Sequence, residues 1–230
     1  AIPCFLAWKD VIAKAPTGSG KTFAFGIPML EHTDPEGTDV TGLVLAPTRE
    51  LALQIQGELR ELCAFLPGIR TVCLYGGQPI DRQINALKKR PQIVVATPGR
   101  LMDHMKRRTV RLGKVETVVL DEADRMLDMG FIKDVTHILK QLPHRRNMGM
   151  FSATISREVM DISWLYQRDP VEIVVRPIEE DRPDIAQYRI KVSMGGKVDL
   201  LAKLLARPEL DRVIVFCNTK NTTDRITGLL

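Results

Sequence analysis

Seven short runs of β-branched and aliphatic residues punctuate the chain, at residues 10–13, 42–46, 69–74, 92–96, 117–120, 148–151 and 171–175. Each has the length and composition of a strand, and their largely unbroken hydrophobicity predicts burial on both faces. Between them the spacing becomes helical. In residues 49–66, Leu51, Ile55, Leu59, Leu62 and Leu66 form the apolar stripe of an amphipathic helix, and residues 22–30 read as another helix. Strands alternating with helices predict an α/β fold built on a parallel sheet covered by helices on both faces.

After Val175 the pattern breaks into a charged stretch punctuated by Pro177 and Pro183, which reads as a linker over residues 177–186. Strand-like residues 187–192 and 212–216 then flank a helical segment, 197–206, so residues 187–230 read as the start of a second α/β domain. Residues 1–176 form the first. The 230 residues amount to about one and a half domains at roughly 150 residues each. The chain starts with Ala1-Ile2-Pro3 and stops within an amphipathic segment at Leu230, so both ends are expected to be cut.

Composition narrows the class. With 44% hydrophobic and 27% charged residues the chain is neither disordered nor fibrous. No apolar run reaches the roughly 18 residues of a membrane span, and the first residues show no basic stretch before an apolar one, so export is not expected. Cys4, Cys63, Cys73 and Cys217 are widely spaced, which fits reduced thiols in a cytoplasmic protein better than a disulfide or zinc framework. A net charge of +5 favours a polyanionic partner, and with only 5% aromatic residues base stacking is a poor basis for it. A nucleic acid would be held by its backbone.

Two motifs carry chemistry. Ala15, Pro16, Thr17, Gly18, Ser19, Gly20, Lys21 and Thr22 follow a strand and open a helix, the context of a phosphate loop. Successive backbone N–H groups converge there, Lys21 reaches the β and γ phosphates, and the Thr22 hydroxyl suits Mg²⁺. The plain alternative is a glycine turn with a solvated lysine. The strand at residues 117–120 runs into Asp121, Glu122, Ala123 and Asp124, placing carboxylates at its C-terminal end. Asp121 is suited to hydrated Mg²⁺, and Glu122 to orienting and deprotonating a water. Asp124 alone reads equally well as an acid in a first helical turn.

The ordered series resembles the DEAD-box ATP-dependent RNA helicases of superfamily two. It comprises residues 15–22, the stretch Pro47-Thr48-Arg49-Glu50-Leu51-Ala52, Gly76-Gly77, Thr97-Pro98-Gly99-Arg100, the Asp-Glu-Ala-Asp tetrad, Ser152-Ala153-Thr154, and residues 213–219. The resemblance covers essentially the whole chain. It implies two RecA-like P-loop NTPase domains, the second only begun here, closing over ATP and single-stranded RNA to unwind duplexes. It assigns RNA contact to Pro47, Thr48, Arg49, Gly76, Gly77, Thr97, Pro98, Gly99 and Arg100, and assigns coupling of the ATP site to strand separation to Asp124, Ser152 and Thr154. Hydroxyl, guanidinium and close backbone N–H donors are what sugar-phosphate binding requires. Taken singly, these segments also read as ordinary turns and helix entries.

Several positions depart from the family. Trp8 stands where a small residue is common, and Ile155-Ser156 follow the Ser-Ala-Thr motif. The family's adenine-reading motif is expected before Ala1 and its arginine fingers after Leu230. Because such a finger is worth roughly 10³ to 10⁵ in rate, the chain alone is expected to turn over ATP slowly. The basic clusters at residues 88–90 and 106–108 read as solvated helix ends, Met126, Met129, Met148 and Met150 as core, and the assembly as a monomer. His32, His104, His137 and His144 lack metal-ligand spacing.

Overall fold

A computed structural model describes residues 1–16, 18–175 and 185–229. The chain divides into two units, Ala1–Asp181 and Arg182–Leu230. In the first, seven strands form one parallel sheet: β1 (Val11–Lys14), β2 (Gly42–Leu45), β3 (Thr71–Leu74), β4 (Ile93–Ala96), β5 (Thr117–Leu120), β6 (Asn147–Ser152) and β7 (Val171–Val174). Their order is β3-β4-β2-β5-β6-β1-β7, and every pairing is parallel. All seven runs read from the sequence are strands. β2, β4, β5 and β6 are buried throughout and β1 is buried up to Lys14, whereas the edge strand β7 alternates half-buried and exposed positions, as expected of a sheet border.

Among the described residues of the first unit, helices cover these faces: α1 (Ile2–Leu6), α2 (Lys21–Glu31), α3 (Arg49–Leu62), α4 (Ile80–Leu87), α5 (Pro98–Lys106), α6 (Ala123–Asp128), α7 (Ile132–Lys140), α8 (Arg157–Tyr166) and a 3₁₀ turn, Cys63–Phe65. Successive strand residues point to opposite faces, so the core is two layers. One holds Ile12, Leu43, Val118, Met148 and Ile138; the other holds Val11, Val44, Phe25, Ile55 and Phe151. Within the second layer Gly149 is required by space: a Cβ there would stand 2.3 Å from the Phe5 ring.

Some expectations are corrected. The stripe of residues 49–66 tightens into the 3₁₀ turn after Leu62, leaving Leu66 40% exposed instead of in the core. Met126, Met148 and Met150 are buried, but Met129, at the helix end, is half exposed. In the second unit α9 (Lys197–Leu205) and α10 (Lys220–Thr227) form, whereas residues 187–192 and 212–216 are not strands. Backbone donors and acceptors of a strand need a paired neighbour, and among the described residues these segments have none; Tyr188 and Phe216 are about nine-tenths exposed. Residues 176–184, which include most of the expected linker, lie outside the described residues. Trp8 adopts φ +58, its ring sandwiched between His32 at 3.7 Å and the Arg146 guanidinium at 3.6 Å.

Candidate nucleotide and nucleic-acid site

Because every strand runs the same way, the segments leaving β1 to β6 emerge along one edge of the sheet. Its β5-β6-β1 half gathers the phosphate loop and the acidic tetrad, and its β3-β4-β2 half gathers the segments assigned to RNA. Gly18 (φ +81) and Gly20 (φ +78) are both left-handed, a conformation that costs an L-residue roughly 1–2 kcal/mol. Gly20 then caps α2. The Ser19 hydroxyl donates to the Pro16 carbonyl at 2.7 Å, closing the loop on itself. Thr17 lies outside the described residues; Ala15 is buried against β6, its N–H donating to the Ser152 carbonyl.

Lys21 and Thr22 start α2, and Thr22 is buried. The Lys21 ammonium stands 3.9 Å from Asp121 Oδ1, with side chains 10% and 4% exposed. That is too long for a hydrogen bond, and the buried Nζ has no other partner among the described residues. Asp121 is shifted up to about 6: burial raises it most, while Lys21 and the Glu122 N–H, which donates to Oδ1 at 3.0 Å, pull it down. Glu122 takes a left-handed conformation (φ +47) as it caps α6. Its carboxylate is held by Arg125 Nη1 at 3.2 Å, a partner the sequence reading missed.

The residues fit a nucleotide triphosphate with a divalent ion. An orphaned, buried ammonium at a loop of left-handed glycines asks for an anion. Among the described residues no group of three or more His, Cys, Asp or Glu side chains could hold a metal. Thr22 and Asp121 alone match the way Mg²⁺ is bound, by one or two protein groups together with substrate phosphates.

Asp124 faces β6. Its carboxylate accepts from the Thr154 N–H at 2.8 Å and the Thr154 hydroxyl at 2.7 Å, and its own N–H donates to Ser152 Oγ at 3.1 Å. Burial pushes its pKa up, yet these bonds, led by that of the Thr154 side chain, outweigh it and hold the group below its ordinary range. The structure therefore brings together all three residues assigned to coupling. The hydroxyl of Ser156, not those of Ser152 and Thr154, caps α8.

On the other half of the edge, Thr48 caps α3 by accepting from the Leu51 N–H, with Pro47 buried behind it and Arg49 exposed. The Arg49 guanidinium lies 5.0 Å from the Tyr75 ring centroid. Gly76 and Gly99 face open space, and Gly77 (φ +84) sits beside Arg49. Thr97 and Pro98 are buried at the start of α5. Arg100 is mostly spent inside the protein, donating to the Gln78 carbonyl at 2.9 Å and Gln83 Oε1 at 3.2 Å. Gln83 is the residue the sequence reading missed. Fully buried, it donates to the Tyr75 carbonyl at 2.9 Å and Gln78 Oε1 at 3.0 Å. It also pairs with His104 Nε2 at 3.0 Å. Burial, followed by Arg100, lowers the His104 pKa, so the neutral ring with its proton on Nε2 satisfies Gln83, and Nδ1 accepts from Thr109 at 2.8 Å. A glutamine on a helix with a helix-period pattern gave no sign of this role.

Residues 1–162 match the DEAD/DEAH box helicase family. The chain belongs to that family. It is 44% identical over 229 residues to the DEAD-box ATP-dependent RNA helicase CshA of Bacillus cereus, covering 100% of this chain and 43% of the relative. It is 45% identical to CshA of Geobacillus kaustophilus, covering 49% of that protein. The chain thus spans about half the length of these curated relatives. Among solved structures, a DEAD box protein from the hyperthermophile Methanococcus jannaschii superposes with a TM-score of 0.73 at 37% identity, covering 99% of this chain and 61% of that one. A hypothetical ATP-dependent RNA helicase from Sulfolobus tokodaii gives 0.69 at 33% identity, covering 100% and 65%.

Proposed function

We propose that this chain carries the ATP-hydrolysing centre and part of the RNA-contacting edge of an ATP-dependent RNA helicase that opens short duplexes. The observation that carries this reading is the buried Lys21 ammonium, without a hydrogen-bond partner among the described residues and facing Asp121 at the mouth of the loop of residues 15–22. Backbone N–H groups of residues 18–22 and the Lys21 ammonium would bind the β and γ phosphates of ATP. Thr22 and Asp121 would hold Mg²⁺, partly through water, and the ion would neutralise charge developing on the phosphates. Glu122 would orient a water and take its proton, with Arg125 fixing the carboxylate's direction. Asp124 would transmit the state of this carboxylate cluster to β6 through Thr154 and Ser152.

Single-stranded RNA would lie along Thr48, Arg49, Gly76, Gly77, Thr97, Gly99 and Arg100, held by sugar-phosphate contacts without base readout. Residues 1–176 would form the first RecA-like domain and residues from 187 onward the start of a second, joined by residues 177–186, with the protein working as a cytoplasmic monomer. The test is Glu122→Gln in the longer protein that contains this chain. ATP binding is retained, because the phosphate cradle is intact, and turnover is lost, because the water has no base. Wild-type turnover in that variant contradicts the assignment.

A further inference from the structure

The edge of the sheet opposite the motifs is also charged. A cavity of about 580 Å³ runs along the open side of the edge strand β3, from Tyr75 and Gln78 at the motif edge to Arg70, Lys89 and Pro91 at the other, with Arg60 and Arg82 on its walls. Pro91 also borders a second cavity, of about 380 Å³, whose lining includes Arg90, Arg108, Arg111 and Asp39. Arg108 and Arg111 continue into a third, of about 630 Å³, which adds Lys140. The three linings contain eight basic side chains and one acidic one. All eight are exposed, and among the described residues none has a carboxylate within 4 Å.

Helix ends explain only part of this. Cations are favoured at a helix C-terminus, which suits Lys89, Arg90 and Arg108, just past the ends of α4 and α5. Arg82 lies in the first turn of α4, where the helix dipole opposes it. Arg70 precedes β3, and Arg111 stands in the loop before β5. Arg90 (φ +52) and Arg108 (φ +54) occupy left-handed positions just past α4 and α5, where glycine is the unstrained residue.

We infer that this basic track is a second RNA-backbone site, one that receives the strand or duplex arm leaving the motif edge. The inference rests on the RNA reading above. Continuity favours RNA: the track begins at Tyr75, under Arg49, and at Gln78, whose carbonyl holds Arg100. Arginine predominates, and its planar fork matches phosphate oxygens. Crossing beneath β3, β4, β2 and β5, neighbours about 4.8 Å apart, the track extends about 15 Å, enough for a few consecutive phosphates. An acidic peptide would use the charge but not the continuity.

The test compares two labelled RNAs on the longer protein that contains this chain, by fluorescence anisotropy: a ten-nucleotide strand, and the same strand extended by a twelve-base-pair hairpin. The triple variant Arg90→Gln, Arg108→Gln, Arg111→Gln binds the extended RNA at least tenfold more weakly at low salt. Its log–log salt slope falls by about 2 to 3, since each lost duplex phosphate contact removes about 0.9. Affinity for the ten-mer stays within twofold, which also reports intact folding, and lysine at the three positions restores most of the loss. Equal binding of the extended RNA by variant and wild type overturns the inference and leaves the motif-edge reading standing. If Arg49→Ala, Arg100→Ala leaves ten-mer binding unchanged while the triple variant loses the extended RNA, the motif-edge reading fails and the track stands. Competition by a polyglutamate peptide as potent as the hairpin's overturns RNA as the occupant.

Discussion

Lys21 and Asp121 face each other across 3.9 Å, both nearly closed off from solvent, and neither satisfies the other with a hydrogen bond. Burial therefore dominates at Asp121 and shifts it up to about 6 despite the nearby ammonium. Three residues on, Asp124 is shifted the other way by its hydrogen bonds to β6. The tetrad thus holds one carboxyl that resists ionisation and one that favours it.

Carboxyl-carbon NMR of the aspartates will show Asp121 titrating near 6 and Asp124 below the ordinary aspartate range. Between about pH 4 and 6 the folded Asp121 keeps a proton that the unfolded chain has released, so its contribution to stability falls as pH rises through that window. The contribution of Asp124 has the opposite sign, present above about pH 4 and lost on acidification. Two coincident titrations near 4 would contradict this assignment.

Thr154→Val removes the hydroxyl bond to Asp124 and leaves the 2.8 Å backbone bond in place. A loss of about 1 kcal/mol or less is expected in denaturant unfolding, given the exposed setting. In the longer protein the variant retains ATP turnover but unwinds fewer duplexes per ATP. Equal losses in both rates would remove Thr154 from the coupling.

Gln83→Leu strands the Tyr75 carbonyl, His104 Nε2 and one Arg100 donor in a buried place. The expected cost is about 2–3 kcal/mol in the unfolding free energy. Amide exchange should also accelerate at residues 75–78, because that loop loses its buried anchor. A change below 0.5 kcal/mol would show that the network is not structural.

The parallel sheet was legible because its strands are buried on both faces, so that runs such as residues 93–96 and 117–120 announce themselves without alternation. Residues 187–192 and 212–216 carry the same β-rich composition but do not form strands, because strand formation depends on a paired neighbour that composition does not encode. The glycine turn of residues 15–22 was legible for a local reason: its left-handed glycines and the start of α2 at Lys21 are set by backbone conformation within eight residues. Arg125 on Glu122 and Gln83 beneath Tyr75 were not, since each depends on side chains brought together by the fold. The basic clusters at residues 88–90 and 106–108 read as solvated helix ends one at a time. Their convergence around one cavity appears only when α4 and α5 end side by side.

The central claim is that the Lys21–Asp121–Glu122 cluster hydrolyses ATP in response to RNA. Its most direct test is steady-state ATP hydrolysis by the longer protein, at fixed salt, with saturating single-stranded RNA, double-stranded DNA or no nucleic acid. The account predicts stimulation by RNA that DNA does not reproduce, abolished by Glu122→Gln. Equal stimulation by double-stranded DNA would point to a DNA translocase, and hydrolysis indifferent to RNA would contradict the account.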